Sequence, residues 1–181
     1  MPKYIISMLP LLFLLSSFIG FSQHEWTWSI HPEAHFKVLA PFNLSLSTKE
    51  LPTSGDPIVY HQYNGGSVTD SSMSVALVID HYQLPETQDS ADYHYHRELF
   101  ENAVDQLLTS IKGELIYVDY NTEWDRDICI WKAAYLNGKG VIRGHLIISG
   151  DQYYGLQAFG LAKNNPDGIM NKFLDSFKII K

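Results

Sequence analysis

The chain has 181 residues and a formal net charge of −7, from 13 lysines and arginines against 20 aspartates and glutamates. An acidic chain without a basic block does not match proteins that bind nucleic acids or anionic membrane surfaces. Its single cysteine, Cys129, has no partner for an internal disulfide. The fold must therefore be stabilised by its core, and a chain of this length can bury enough surface for one domain.

The first 22 residues have the layout of a secretory signal peptide. Lys3 precedes an apolar run over residues 5–21, small residues lie near its end, and polar sequence starts at Gln23. We therefore predict a signal peptide over residues 1–22, a single domain over residues 23–181, and a secreted or periplasmic protein. The alternative is a retained membrane anchor, because the apolar run is about long enough to span a bilayer.

Strands and turns are predicted between the signal peptide and residue 90. Trp26 and Trp28 alternate with polar residues, and residues 36–40 alternate in the same way before Pro41. The next strands are predicted at residues 58–63, before a turn at Asn64-Gly65, and at residues 73–82.

One long amphipathic helix is predicted over residues 90–113. Its apolar side chains fall on one face at helical spacing, and they are Tyr93, Phe100, Val104, Leu107 and Ile111. We expect Ser90 to cap the first turn and Gly113 to end the helix in a left-handed conformation. An isolated helix of this length is marginal in water, so its apolar face is expected to pack on a sheet.

Four more strands and a second helix are predicted after the long helix. The strands are residues 115–120, 126–136, 141–149 and 153–159, and the helix begins near Pro166. A four-residue loop at 137–140 predicts Trp131 opposite Leu146 and Ala133 opposite Gly144, and a two-residue turn is predicted at 150–151. Because both faces of these strands are apolar, we predict an α+β fold, an antiparallel β-sheet covered by helices on both faces (an α/β/α sandwich).

The order and spacing of these segments resemble the PsbP-like superfamily. The segments that carry the resemblance are residues 36–41, 74–82, 140–144, 153–156 and 173–178, together with the single long helix. The resemblance implies an α/β/α sandwich with an antiparallel sheet. It also implies a binding, docking or assembly role, and it transfers no functional residue to this chain.

Two groups of residues are candidates for binding. Lys132, Arg143 and His145 are expected on one sheet face, either as a patch for a small anionic ligand or partner, or paired with acids at the margin of the sheet. Trp26 and Trp28 are expected either to form a surface for a sugar or a protein partner, or to pack in the core.

The sequence contains no pattern that indicates catalysis, a metal or a cofactor. There is no Gly-x-Ser-x-Gly motif, and Cys129 is expected to be buried in a strand, on the same face as Trp131. His94 and His96 point about 200° apart on a helix and cannot share one ion. We therefore predict a protein that is not an enzyme and has no cofactor.

The function predicted from the sequence is that of a secreted, non-enzymatic binding or assembly module of the bacterial envelope. Its partner would be an envelope protein or a small ligand, and a membrane only if the N-terminal segment is retained. A first alternative is a carrier of a small apolar or aromatic ligand held between sheet and helix. A second alternative is a hydrolase whose site the sequence does not reveal.

Overall fold

The computed structural model describes residues 25–52, 57–66, 74–85, 92–123 and 125–180. The predicted signal peptide over residues 1–22 and the predicted cap Ser90 lie outside these ranges. None of the helices within them is long and apolar enough to cross a membrane.

Within the described ranges the chain forms ten strands and two α-helices. The strands are β1 (Thr27–His31), β2 (Phe36–Ala40), β3 (Ser45–Leu51), β4 (Ile58–Gly66), β5 (Val75–Gln83), β6 (Glu114–Glu123), β7 (Arg126–Tyr135), β8 (Gly140–Ser149), β9 (Gln152–Leu161) and β10 (Lys178–Ile179). The helices are α1 (Tyr93–Ile111) and α2 (Asp167–Asp175).

The strands form two antiparallel sheets. The large sheet has seven strands in the order β3-β4-β5-β9-β8-β7-β6, and the small sheet has three in the order β1-β2-β10. Consecutive strands β6 to β9 are hairpin neighbours, while α1 connects β5 to the far edge strand β6.

The apolar core has two clusters on opposite faces of the large sheet, and strand β8 contributes side chains to both. Ile142 and Ile148 join the cluster that contains Phe100 of α1, and we call this side the helix face. Val141 and Ile147 join the cluster that contains residues of α2 and of β2, and we call this side the small-sheet face. Side chains alternate along a strand, so successive residues of β8 stabilise two different layers.

The predicted α+β class with an antiparallel sheet is confirmed. The finer prediction, that helices cover both faces of the sheet, stays a prediction. On the small-sheet face, Phe36 and Val38 of β2 pack in the same cluster as Phe173 of the short helix α2. A second sheet therefore supplies part of the packing that the sequence suggested a helix would supply.

Helix α1 begins and ends with residues other than those expected. Asp92 is the N-cap, and its carboxylate accepts a hydrogen bond from the backbone N–H of His94 at 2.8 Å. The prediction that Gly113 supplies the left-handed end is wrong, because Lys112 takes that conformation with φ 52°. Gly113 instead provides space, since a Cβ atom there would lie 2.9 Å from Cδ2 of Leu108.

The predicted register of the β7–β8 hairpin is wrong by two residues. Trp131 lies opposite Gly144 and Ala133 opposite Ile142, so the four-residue loop begins at Leu136. The shift places a large ring over a glycine: a Cβ atom at Gly144 would lie 2.4 Å from the indole of Trp131. Because the shift is an even number of residues, every side chain keeps its predicted face.

The next hairpin agrees with its prediction. Ser149 pairs with Gln152, which leaves Gly150 and Asp151 as a two-residue turn. Gly150 has φ 59°, a conformation that glycine adopts without steric cost.

We predict that Gly144→Ala lowers the free energy of unfolding by roughly 1–3 kcal/mol, the usual cost of overpacking a rigid core. Trp131 is fully buried and has no room to retreat from the new methyl group. Denaturant unfolding measures the change. Gly168→Ala in α2 is the matched control, because a Cβ atom there contacts nothing, and it should stay within about 1 kcal/mol of the wild type. Equal stability of both variants would contradict the packing described for Trp131.

Candidate functional site

The three polar residues predicted to cluster lie on the small-sheet face of the large sheet. Lys132 on β7 lies directly opposite Arg143 on β8, and His145 lies two residues further along β8, opposite Ile130. Two cations placed opposite each other on a sheet repel unless a counter-charge lies nearby.

Helix α2 supplies that counter-charge through Asp167 in its first turn. The Nζ atom of Lys132 lies 3.1 Å from Oδ2 of Asp167, and Nη1 of Arg143 lies 3.9 Å from Oδ1. Arg143 also donates a hydrogen bond through Nη2 to the hydroxyl of Tyr117 on β6 at 2.9 Å. An anionic ligand at this cluster would have to compete with Asp167 for both cations.

The environment of His145 favours its neutral imidazole form. Burial lowers its pKa below the ordinary value of 6.5; the charge of Asp175 acts to raise the pKa, and Arg143 acts to lower it. The cluster therefore carries two positive charges from Lys132 and Arg143, with Asp167 between them.

The two predicted tryptophans occupy different environments. Trp26 is partly buried against the core, and the Nζ atom of Lys172 lies 4.4 Å from its ring centroid. Trp28 on β1 is 43% exposed, and the Nζ atoms of Lys37 and Lys178 lie 5.1 and 5.7 Å from its ring. Trp28 is thus an exposed ring with two cations nearby, whereas Trp26 contributes to packing.

The histidines of α1 also separate as expected, because His94 is exposed and His96 is buried. Nδ1 of His96 lies 2.6 Å from Oδ2 of Asp127, whose other oxygen accepts a hydrogen bond from the hydroxyl of Thr122 at 2.7 Å. This contact joins the first turns of α1 to the β6–β7 hairpin.

Cys129 is buried in β7 on the helix face, as predicted. Burial raises the pKa of its thiol to about 12, so the thiol is protonated at neutral pH. No group of three or more histidine, cysteine, aspartate or glutamate side chains within the described ranges is arranged to hold a metal ion.

An open cavity of about 470 Å³ lies at the end of the β7–β8 hairpin. Its lining residues are Gly138, Lys139, Leu161, Ala162 and Lys163. Neither lysine forms an ion pair with another described residue. The carrier alternative places its ligand between the sheet and the long helix. This cavity lies elsewhere, because the hairpin loop and the end of β9 form it.

Sequence reasoning did not find Asp80, a carboxylate in the middle of the apolar strand β5. Tyr60 and Gln62 on β4 and Gln157 on β9 all donate hydrogen bonds to it. An acid directly after the apolar run of residues 75–79 is a signal that the sequence does contain, since burying a charge is costly unless partners are present. The partners themselves become visible only in the sheet.

Comparisons with known proteins show a fold relative. No family model matches the chain, and no curated protein matches its sequence. Among solved structures, the solution structure of cyanobacterial PsbP (CyanoP) from Synechocystis matches with a TM-score of 0.54 and 12% identity, covering 92% of this chain and 99% of that one. The chain therefore has the PsbP-like fold that its sequence pattern predicted. At this identity the likeness shows the fold alone.

We predict that Asp167→Asn destabilises the protein by about 1 kcal/mol at low salt, because Lys132 and Arg143 lose the carboxylate that they share. The loss should shrink as salt screens the two remaining cations. Denaturant unfolding at low and high salt measures both effects. Asp125→Asn is the control, since the side chain of Asp125 is 84% exposed and lies 3.8 Å from Arg126. Identical behaviour of the two variants would rule out a structural role for Asp167.

The lowered pKa of His145 makes stability depend on pH. Below pH 6.5 the unfolded chain takes up a proton that the folded chain resists, so the free energy of unfolding should fall as the solution is acidified from pH 7. His81, whose pKa burial also lowers, adds to the same slope. An NMR titration should give His145 a midpoint below 6.5, and His145→Gln should flatten the pH dependence. A midpoint at or above 6.5 would contradict the burial described here.

Proposed function

We propose that the mature chain is a secreted, non-enzymatic binding or assembly module of the bacterial envelope, which docks a protein partner on the outer face of its small sheet. Three observations support this role. The N-terminal 22 residues have the layout of an export signal. The chain resembles the PsbP-like superfamily, and that resemblance implies a docking or assembly role. The small sheet carries an exposed apolar surface.

The exposed apolar surface is the observation that carries the proposal. Trp28 and Ile30 alternate on β1 and are 43% and 56% exposed, whereas the ring of His31 faces inward onto Phe36 and Tyr63. A half-exposed tryptophan beside an exposed isoleucine is typical of the centre of an interface, where aromatic anchors carry most of the binding energy.

Strand β1 is an edge of the small sheet, so its backbone also has groups that a partner can bind. Among the described residues β1 pairs only with β2, so its other edge has hydrogen-bonding groups available. An extended segment can add to such an edge as a further strand, with its side chains alternating between the two faces.

The charges around Trp28 indicate the chemistry of the partner. Lys37 and Lys178 lie opposite each other on β2 and β10, and both ammonium groups lie near the ring of Trp28. Two cations beside an apolar ring on an otherwise acidic chain favour a partner segment that combines apolar with acidic side chains.

A second candidate function, the carriage of a small ligand, has one observation in its favour. The cavity at the β7–β8 hairpin has a volume within the range of small-molecule sites. Its mostly apolar walls, and two lysines (Lys139 and Lys163) that form no ion pair within the described part of the chain, favour an apolar molecule that carries a negative charge.

The experiment is cross-linking and affinity purification of the full chain from the envelope fraction of its own host. We expect one protein to co-purify with the wild type, and Trp28→Ala or Lys37→Glu to reduce its yield tenfold or more, the effect of losing an interface anchor. Leu46→Ala and Lys49→Glu on the exposed strand β3 are matched controls that should retain the partner.

Two results of that experiment would overturn the proposal. One is equal recovery of the partner by the Trp28 and Leu46 variants, since binding would then not use the small sheet. The other is a cross-linked preparation that contains only the bare chain. Mass spectrometry of the same sample tests export independently, because cleavage predicts a mature protein that begins at Gln23.

A further inference from the structure

The helix face of the large sheet is not uniform. Helix α1 packs on β6 and β7, at one side of the sheet. On β4, β5 and β9, beyond those contacts, five partly exposed polar and aromatic side chains lie on the helix face: Tyr60, Gln62, Asp80, Tyr82 and Gln157. The alternate residues of β5, Leu77 and Ile79, are fully buried on the opposite face. Solvent therefore reaches a polar group in the middle of a sheet.

Asp80 is the centre of this group. Its Oδ1 atom accepts hydrogen bonds from the hydroxyl of Tyr60 and from Nε2 of Gln62 at 3.0 Å, and its Oδ2 atom accepts one from Nε2 of Gln157 at 3.0 Å. Burial raises the pKa of Asp80, although the bonds from Tyr60 and Gln62 act to lower it. The donors come from strands on both sides of β5, so the carboxylate is held in one orientation.

The group keeps unused hydrogen-bonding capacity. With respect to the described residues, the side-chain carbonyl oxygens of Gln62 and Gln157 have no partner, and neither does the hydroxyl of Tyr82. Gln157 has a second N–H, and Oδ2 of Asp80 can accept a second bond. The group therefore offers both donors and acceptors, and this combination pairs with hydroxyl groups, because a hydroxyl both donates and accepts.

Aromatic rings border the same group. The ring of Tyr82 stacks on that of Tyr153 with centroids 4.5 Å apart, and the ring of Tyr60 lies 6.3 Å from that of Tyr82. Stacking on the buried Tyr153 fixes the orientation of Tyr82. Gly155, opposite Asp80, adds no side chain above the sheet. A rigid aromatic ring beside fixed amides gives an apolar surface for the C–H groups of a ligand and polar contacts for its oxygens.

We propose that this group, formed by Tyr60, Gln62, Asp80, Tyr82 and Gln157, is a binding site for a neutral sugar. A carbohydrate ring presents C–H bonds on one side and hydroxyls at its edge, which matches both parts of the site. An anionic ligand would be repelled by Asp80, and among the described residues no group of three or more histidine, cysteine, aspartate or glutamate side chains is arranged here to hold a metal ion. The site is separate from the docking surface on the small sheet and does not depend on it.

The experiment is an NMR titration of the full chain with cellotriose, chitotriose and maltotriose in turn. We expect at least one of them to shift the side-chain amide signals of both Gln62 and Gln157 at concentrations up to about 10 mM, a range that detects dissociation constants in the millimolar range. Trigalacturonate, a charged trisaccharide, should bind at least tenfold more weakly, because its carboxylates approach Asp80.

Variants locate the site. Asp80→Asn should weaken binding tenfold or more, since an amide cannot accept from three donors as a carboxylate does. Asp105→Asn on the exposed side of α1 is the matched control and should bind as the wild type does. If the Asp80 variant fails to fold, Gln157→Ala, which removes the amide that donates to Asp80 together with its second N–H and its carbonyl oxygen, decides the question in its place.

The proposal is overturned if none of the three neutral sugars moves the two amide signals. It is also overturned if Asp80→Asn, or Gln157→Ala in its place, binds as tightly as the Asp105 control. Trigalacturonate binding as well as the best neutral sugar would refute the assigned ligand class.

Discussion

The two-sided burial of strands β8 and β9 determines where every other element lies. Their successive side chains enter different cores, with Ile142 and Leu146 packing beneath α1 and Val141 and Leu156 packing against α2 and the small sheet. Apolar side chains on both faces of a strand require cover on both faces, because each uncovered face would expose several large side chains to water. The polar side chains of this pair that belong to the candidate sites, Arg143 of β8 and Gln157 of β9, find their partners on neighbouring elements, in Asp167 of α2 and Asp80 of β5.

Much of the fold could be predicted from local sequence. The spacing of apolar residues identified α1, and Gly150-Asp151 fixed the β8–β9 turn, because both signals act over a few residues. The β7–β8 register could not be predicted in the same way. Its loop begins with Leu136 and Asn137 in left-handed conformations that glycine usually adopts, and its pairing is set by Trp131 packing over Gly144. That contact joins residues on different strands, and no local pattern encodes it.

The candidate sites were also predicted only in part: the local sequence indicates which residues share a face, but not which residues from other elements contact them. Alternation along the strands predicted that Lys132, Arg143 and His145 share one face of the sheet. This prediction does not depend on the exact register, because a shift by two residues leaves every side chain on the same face. The carboxylate that binds the two cations comes from α2, and the donors that hold Asp80 come from β4 and β9. Alternation along the strands predicted a charged face and left each tryptophan open between surface and core, and it could not determine which distant side chains complete each group.

The small sheet joins the beginning and the end of the described chain, because Lys37 of β2 pairs with Lys178 of β10. The strand between β1 and β10 can therefore acquire its second neighbour only after α2 has been synthesised and packed. Contacts between residues so distant in sequence are formed late and make folding slow. The proposed export would benefit from this topology, since a nascent chain that stays incompletely folded until its last strand is available remains able to cross a translocation channel.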